Sequence, residues 1–214
     1  MTPIKVGCVV EGHGEVKALP VLLRRMGISI DPDVYLEIMP PIRRPRGSLV
    51  SKQGELERAV ELAALKARPH GGVFVLLDSD DDCPAELAPK LLSRAQAAGI
   101  GLPVAVILPK REFEAWFLAA AESLRGKRGL PIDLEPPRDA EEIRGAKGWL
   151  RERMAGRTYS ETIDQPALAA LFDLNRARAA SSFDKCYREL ERLIVRFRSD
   201  PELGVSHEIR PRWT

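Results

Sequence analysis

The chain has 214 residues, 44% of them apolar and 30% charged, with a formal net charge of +2. That length suits one domain, or an α/β domain with a smaller appendage, and the apolar share supports a sizeable core. So small a net charge neither demands nor excludes a nucleic-acid partner; where the charges cluster matters more. Cys8, Cys83 and Cys186 lie far apart with no CxxC or Cys/His spacing, which argues against a disulfide framework and a zinc site. The N-terminal residues MTPIKVGCVVEGHGE lack the apolar stretch of a signal peptide, and the chain has no run of 18 apolar residues. A protein of the reducing cytoplasm with no membrane segment is expected.

Residues 1–125 alternate strand and helix signals. Residues 4–10 are a short apolar run that ends at Glu11-Gly12-His13-Gly14. Residues 15–26 carry Ala18, Leu19, Leu22 and Leu23 at helical spacing. Residues 34–39 are rich in β-formers. Residues 40–51 are basic and punctuated by Pro and Gly, so they read as a loop. Helical spacing returns over 54–67 with Leu56, Val60 and Ala63. A second apolar run, VFVLL at 73–77, stops at Asp78-Ser79-Asp80-Asp81-Asp82. Pro84 suits the first position of a helix ending near residue 98. VAVIL at 104–108 is another buried strand, and 112–124 reads as a helix with Phe113, Trp116, Phe117 and Ala120 inward.

Uninterrupted apolar strands between amphipathic helices predict an α/β fold with a mainly parallel, four-stranded sheet covered on both faces. Residues 126–139 are rich in Gly, Pro and charge and read as a linker or long loop. From residue 140 the signals are helical, most clearly over 183–198. There Phe183, Tyr187, Leu190, Ile194 and Phe197 oppose a stripe of Lys185, Arg188, Arg192 and Arg196. That stripe suits a solvated helix face better than a DNA contact. The expected organisation is an α/β domain at 1–125 and a helical C-terminal extension at 126–214.

In open parallel sheets, ligands gather beyond the carboxyl ends of the strands. Two of the apolar strands end there in acids, at Glu11 and at 78–82. If these strands are neighbours, right-handed crossovers bring Glu11, Asp78 and Asp80 to one edge. Like charges so crowded call for a cation, and carboxylates without His or Cys suit Mg²⁺ or Mn²⁺. An extended backbone past the strand would point Asp78, Asp80 and Asp82 one way. Gly12 and Gly14 would let the backbone turn tightly and approach a phosphate beside a helix N-terminus. Acidic clusters also serve as helix caps or solvated turns, and that alternative stays open at this point. An EF-hand is rejected, because Cys83 and Pro89 stand where its Gly and Glu are needed. Lys17 replaces the third Gly of a dinucleotide fingerprint, and the chain has no GK[ST] or GxSxG.

A strand ending in VVEGHGE followed by one ending in VLLDSDDD resembles the Toprim domain. That is the catalytic module shared by topoisomerases, primases, some recombination proteins and the overcoming-lysogenisation-defect nucleases. The phrases VEGHGEVKALPVLLRR, DSDDD and KREFEAWFLA are particularly similar to a bacterial Toprim-like family, number 4276 of the domains of unknown function. DQPALAALFDL and ASSFDKCYREL look like that family's C-terminal pattern. The resemblance, over roughly residues 4–124 and extending into the tail, implies a Toprim- or Rossmann-like fold. It implies Glu11 as a general acid/base and Asp78 and Asp80 as Mg²⁺ ligands in phosphodiester chemistry, with Asp82 matching a third acidic position. Topoisomerase activity is not expected, since Tyr35, Tyr159 and Tyr187 have no recognisable nucleophile surroundings. Primase activity would need further domains. The expectation is Mg²⁺- or Mn²⁺-dependent phosphodiester hydrolysis of DNA or RNA, a nuclease of a bacterial defence or repair system. The alternative is a non-catalytic nucleic-acid-binding or assembly module. The resemblance also implies an ATPase partner, and a homodimer stays open.

Further candidates follow from position. Glu15 is either a second metal ligand or a favourable acid at a helix start. Glu114 either completes a two-metal site or is an exposed helix residue. Lys110, counted with Glu11 among the catalytic candidates, and Arg111 lie where they could clamp phosphate. Arg43, Arg44 and Arg46, with Lys52, form a basic loop that is either solvated or tracks a nucleic-acid backbone. Trp116 reads as core, and His13 as a surface residue within reach of proton transfer.

Overall fold

Strands form where the apolar runs lie. The structure, a computed structural model, describes residues 2–199. Its strands are β1 (Ile4–Val10), β2 (Leu36–Ile38), β3 (Ile42–Arg43), β4 (Gly71–Leu76) and β5 (Val104–Ile107). They make one parallel sheet in the order β2-β1-β4-β5, with β3 also paired to β1. β2 and β3 share an edge of β1: Val6 faces Ile38, and Val9 faces Ile42. Pro40 and Pro41 lie between them without N–H donors, so the edge strand is interrupted there.

The helices are α1 (His13–Ile30), α2 (Arg46–Ser51), α3 (Glu55–Ala67), α4 (Pro84–Ala97), α5 (Ala115–Ala119), α6 (Ala146–Arg153), α7 (Glu161–Ala169), α8 (Leu174–Ala177) and α9 (Ser181–Ser199). Because strand side chains alternate, the sheet feeds two cores. Val6, Cys8, Val10, Phe74, Leu76 and Ile107 are buried with residues of α1, α5 and α9. Val9, Val73, Val75, Leu77, Val106 and Leu108 are buried with α3 and α4. The expected parallel α/β sheet, helix-covered on both faces, is thus present, with a fifth short strand.

Three segments depart from the sequence reading. The basic stretch 40–51 contains β3 and α2. Ile42 pairs beside Val9, Leu49 is buried, and Arg94 donates to the carbonyls of Leu49 (3.0 Å) and Val50 (2.8 Å). Elements this short leave no periodic signal. The helix read over 112–124 is only α5, followed by a 3-10 turn at Ala121–Leu124, because Ala120 leaves helical geometry (φ −109°, ψ 22°). The stretch 126–139 is pinned rather than slack, with Leu130 and Leu134 in the core.

The C-terminal helices share the α1-side core. Trp116 and Phe117 of α5 meet Phe183 and Phe172 edge-on at 5.2 and 5.4 Å, and Phe172 meets Phe183 at 5.6 Å. The apolar face read over α9 is buried. Of its basic stripe, Arg188 pairs with Asp184 (2.9 Å) and Arg192 with Glu189 (2.7 Å) on the same helix. Residues 200–214 of the expected extension lie outside the described residues. Among the described residues no helix is long and apolar enough to cross a membrane.

Since Phe183 links α9 to α5 inside one aromatic cluster, Phe183→Ala should cost about 3–5 kcal/mol. Unfolding in urea, followed by tryptophan fluorescence and far-UV circular dichroism, should show one coincident transition. Separate transitions would contradict a shared core.

Candidate active site

The register of β1 on β4 places Val10 opposite Leu76, so Glu11 and Asp78 leave the sheet side by side. The Asp78 N–H donates to Glu11 Oε1 at 2.6 Å. The Phe113 N–H, in the turn after β5, donates to Asp78 Oδ1 at 2.8 Å. Asp78 is 6% exposed. Burial and then the neighbouring carboxylates Glu114 and Glu11 raise its proton affinity well above the usual carboxylate range. Glu11 is raised as well, chiefly by burial. The nearest offset is Lys147 of α6, whose Nζ lies 4.0 Å from Asp78 Oδ2 and 3.3 Å from Glu161 Oε1. Burial works against the Lys147 charge, but Glu114 and Asp78 outweigh it and hold the amine protonated.

Behind this pair lie two more acids. Glu15 (4% exposed) and Glu114 (fully buried) each accept from Gln165 Nε2 at 3.1 Å, and Tyr159 donates to Glu114 Oε1 at 2.8 Å. Their second oxygens, Glu15 Oε2 and Glu114 Oε2, are buried and unpartnered. Burial raises the Glu114 carboxyl from 4.5 to about 7, and burial with Glu114 pushes the Tyr159 phenol far up. The Gly12/Gly14 pair has a use the sequence did not disclose. A Cβ on Gly12 would come 2.1 Å from Glu15 Oε2, and one on Gly14 2.1 Å from Gln165 Oε1. The glycines make room for these side chains.

The rest of the acidic cluster turns away. The chain does not stay extended past β4: Asp80 has φ +50° and the Asp82 N–H closes a turn onto Ser79 O at 2.9 Å. Arg46 pairs with Asp80 (3.3 Å) and with Asp82, while it also donates to the carbonyls of Asp78 (2.8 Å) and Ser79 (3.0 Å). Asp81 pairs with Arg111 and Arg144. Arg46 is thus committed to the loop after β4 rather than free on the surface. Arg43 donates to Glu11 O at 3.3 Å and Arg44 to Arg43 O at 2.9 Å, both exposed at the same edge. Lys110 pairs with Glu142. His13 is exposed, and Trp116 is core, its indole N–H donating to Ser182 Oγ at 2.8 Å.

The structure therefore gathers Glu11, Asp78, Glu15 and Glu114, and leaves Asp80 and Asp82 on the rim. Glu114 is not the exposed residue that one reading of its position allowed. Lys147 and Gln165 were not singled out from sequence, and Tyr159 was weighed there only as a topoisomerase nucleophile. Their one signal was that Gln165 stands in DQPALAALFDL. The donor set is all oxygen, as Mg²⁺ or Mn²⁺ prefers, and the two orphaned oxygens fit a cation. As the side chains stand, however, no three His, Cys, Asp or Glu among the described residues form a group that could hold a metal ion.

Residues 10–191 match the model of a domain of unknown function, DUF4276. The chain belongs to that family. No curated protein and no solved structure matches it. The family match spans α6, α7 and more than half of α9, so Lys147, Tyr159 and Gln165 all lie within it.

The raised carboxyls set a pH dependence. Folded Glu114 holds a proton up to about pH 7 that the unfolded chain releases near 4.5. This contribution to stability is full below about 4.5 and is lost as pH rises to about 7. Asp78 and Glu11 act in the same direction. Glu114→Gln should flatten the decline, as read from urea unfolding at several pH values in EDTA. Equal slopes for both proteins would refute the assignment.

Proposed function

We propose that the chain is a Mg²⁺- or Mn²⁺-dependent phosphodiesterase acting on nucleic acid. The observation that carries this reading is the meeting of four largely buried carboxylates at the carboxyl edge of a parallel sheet, two with unpartnered oxygens. Asp78 and Glu11, with Glu15 or Glu114 behind them, would hold the cation. When bound, such an ion polarises a phosphoryl oxygen and acidifies a bound water. Glu11 is only half-buried at the mouth of the site, where its oxygen left free of the cation would suit a base taking a proton from an attacking water. Gln165 and Tyr159 fix the orientation of the rear acids. Lys147 offsets the acids and presents a protonated amine to the anionic reacting group.

A second reading has its own observation. Arg46 already pairs with Asp80 and Asp82, and Lys147 already faces Asp78. An edge compensated by the chain's own cations would suit a non-catalytic nucleic-acid-binding module.

One experiment separates the two. Labelled DNA and RNA are incubated with the protein in millimolar Mn²⁺. Glu11→Gln and Asp78→Asn should each lower cleavage by about 100-fold or more while the variants stay folded, and Mn²⁺ should raise the melting temperature of the wild type only. Undiminished cleavage in both variants would sink the first reading. Salt-sensitive binding without any product would select the second.

A further inference from the structure

We propose that Arg111 and Arg144 form a clamp for a backbone phosphate of a nucleic-acid strand, and that the Asp81 carboxylate fills this clamp until substrate arrives. The proposal rests on the nucleic-acid substrate of the preceding reading, though not on its metal ion.

Two guanidinium groups from distant parts of the chain converge on one oxygen. Asp81 Oδ1 accepts from Arg111 Nη1 at 3.0 Å and from Arg144 Nη1 at 2.7 Å. Arg111 sits in the turn after β5, and Arg144 just before α6. The Asp81 side chain is 75% exposed and that of Arg144 is 72% exposed. An ion pair this open to water is weak and replaceable. A phosphate offers the same guanidinium groups more acceptor oxygens and a bidentate fit.

Arg111 is already set in position. Its N–H donates to Ser79 Oγ at 2.8 Å, and its carbonyl accepts from the Asp80 N–H at 3.1 Å. These bonds hold it at φ +65°, a region that side-chain-bearing residues seldom adopt and that persists where the surroundings enforce it. Its Nε is buried and has no partner, so one donor is unused. A cavity of about 180 Å³ opens here, lined by Asp80, Asp81, Arg111, Glu112, Arg144 and Gly145. Of the other acids of its wall, Asp80 pairs with Arg46, and Glu112 is oriented by the backbone N–H of Lys147 at 3.0 Å. Asp81 is therefore the negative charge that holds the two arginines. An anion entering the cavity competes with Asp81 for the two arginines.

The test is fluorescence anisotropy of labelled single-stranded DNA about 20 nucleotides long, in EDTA and across a salt series. Asp81→Asn should tighten binding about fivefold. Arg144→Ala should weaken it, lower the salt slope by about 0.7 and erase the gain from Asp81→Asn in the double variant. A merely structural ion pair would move stability but not the salt slope. The proposal is overturned if Asp81→Asn binds no more tightly than wild type, if the salt slope of Arg144→Ala is unchanged, or if neither wild type nor Asp81→Asn binds. Because no divalent ion is present, a positive result here without Mn²⁺-dependent cleavage would condemn the phosphodiesterase reading alone. Cleavage without the Asp81 effect would condemn this clamp alone.

Discussion

Carboxylates withdrawn from water repel one another and lose hydration, so a cluster of them stands only if something offsets the charge. At the carboxyl edge of this sheet the offset is divided. Protons take part of it, since Glu11, Asp78 and Glu114 all have raised proton affinity. Lys147 takes another part from the far half of the chain. Backbone N–H groups of Asp78 and Phe113, the amide of Gln165 and the hydroxyl of Tyr159 add hydrogen bonds. α7, packed on α1, and Lys147 of α6 meet this need. Without them the Asp78 side chain would lose its nearest cation, and Glu15 and Glu114 their shared donor.

This dependence unites the two halves of the sequence. The first 125 residues supply the sheet and the acids. The part of the chain after residue 140 supplies Lys147, Tyr159, Glu161 and Gln165, and Glu141 accepts from Ser181 and Ser182 to fasten the start of α9. The C-terminal half is thereby a wall of the site, fixed by the same aromatic cluster that fills the core.

Strand positions were legible because uninterrupted apolar runs ending in acid have few other structural uses. That Glu11 and Asp78 would meet followed from two strands and a handedness rule. The fates of Asp80 and Asp82 were not legible, because they depend on one backbone angle at Asp80 and on Arg46, which sits 32 residues upstream of Asp78 in a stretch read as loop. Gly12 and Gly14 advertised tight packing, but not against what. Lys147 and Gln165 lie on separate short helices whose placement on the sheet edge no local pattern encodes.

The acids that result form two shells with different physics. Glu11, Asp78, Glu15 and Glu114 form an inner set, largely withdrawn from water and held by fixed donors. Asp80, Asp81 and Asp82 form an outer set, exposed and paired with Arg46, Arg111 and Arg144. Electrostatic interactions are strong and slow to screen in the first setting, weak and easily exchanged in the second. The exposed ion pairs of the rim can therefore open or exchange at little cost. In the inner set, by contrast, repulsion between close carboxylates is relieved only by protons, by Lys147 and by fixed hydrogen-bond donors. One edge of the sheet thus keeps exchangeable ion pairs at its rim and crowded, desolvated carboxylates at its centre.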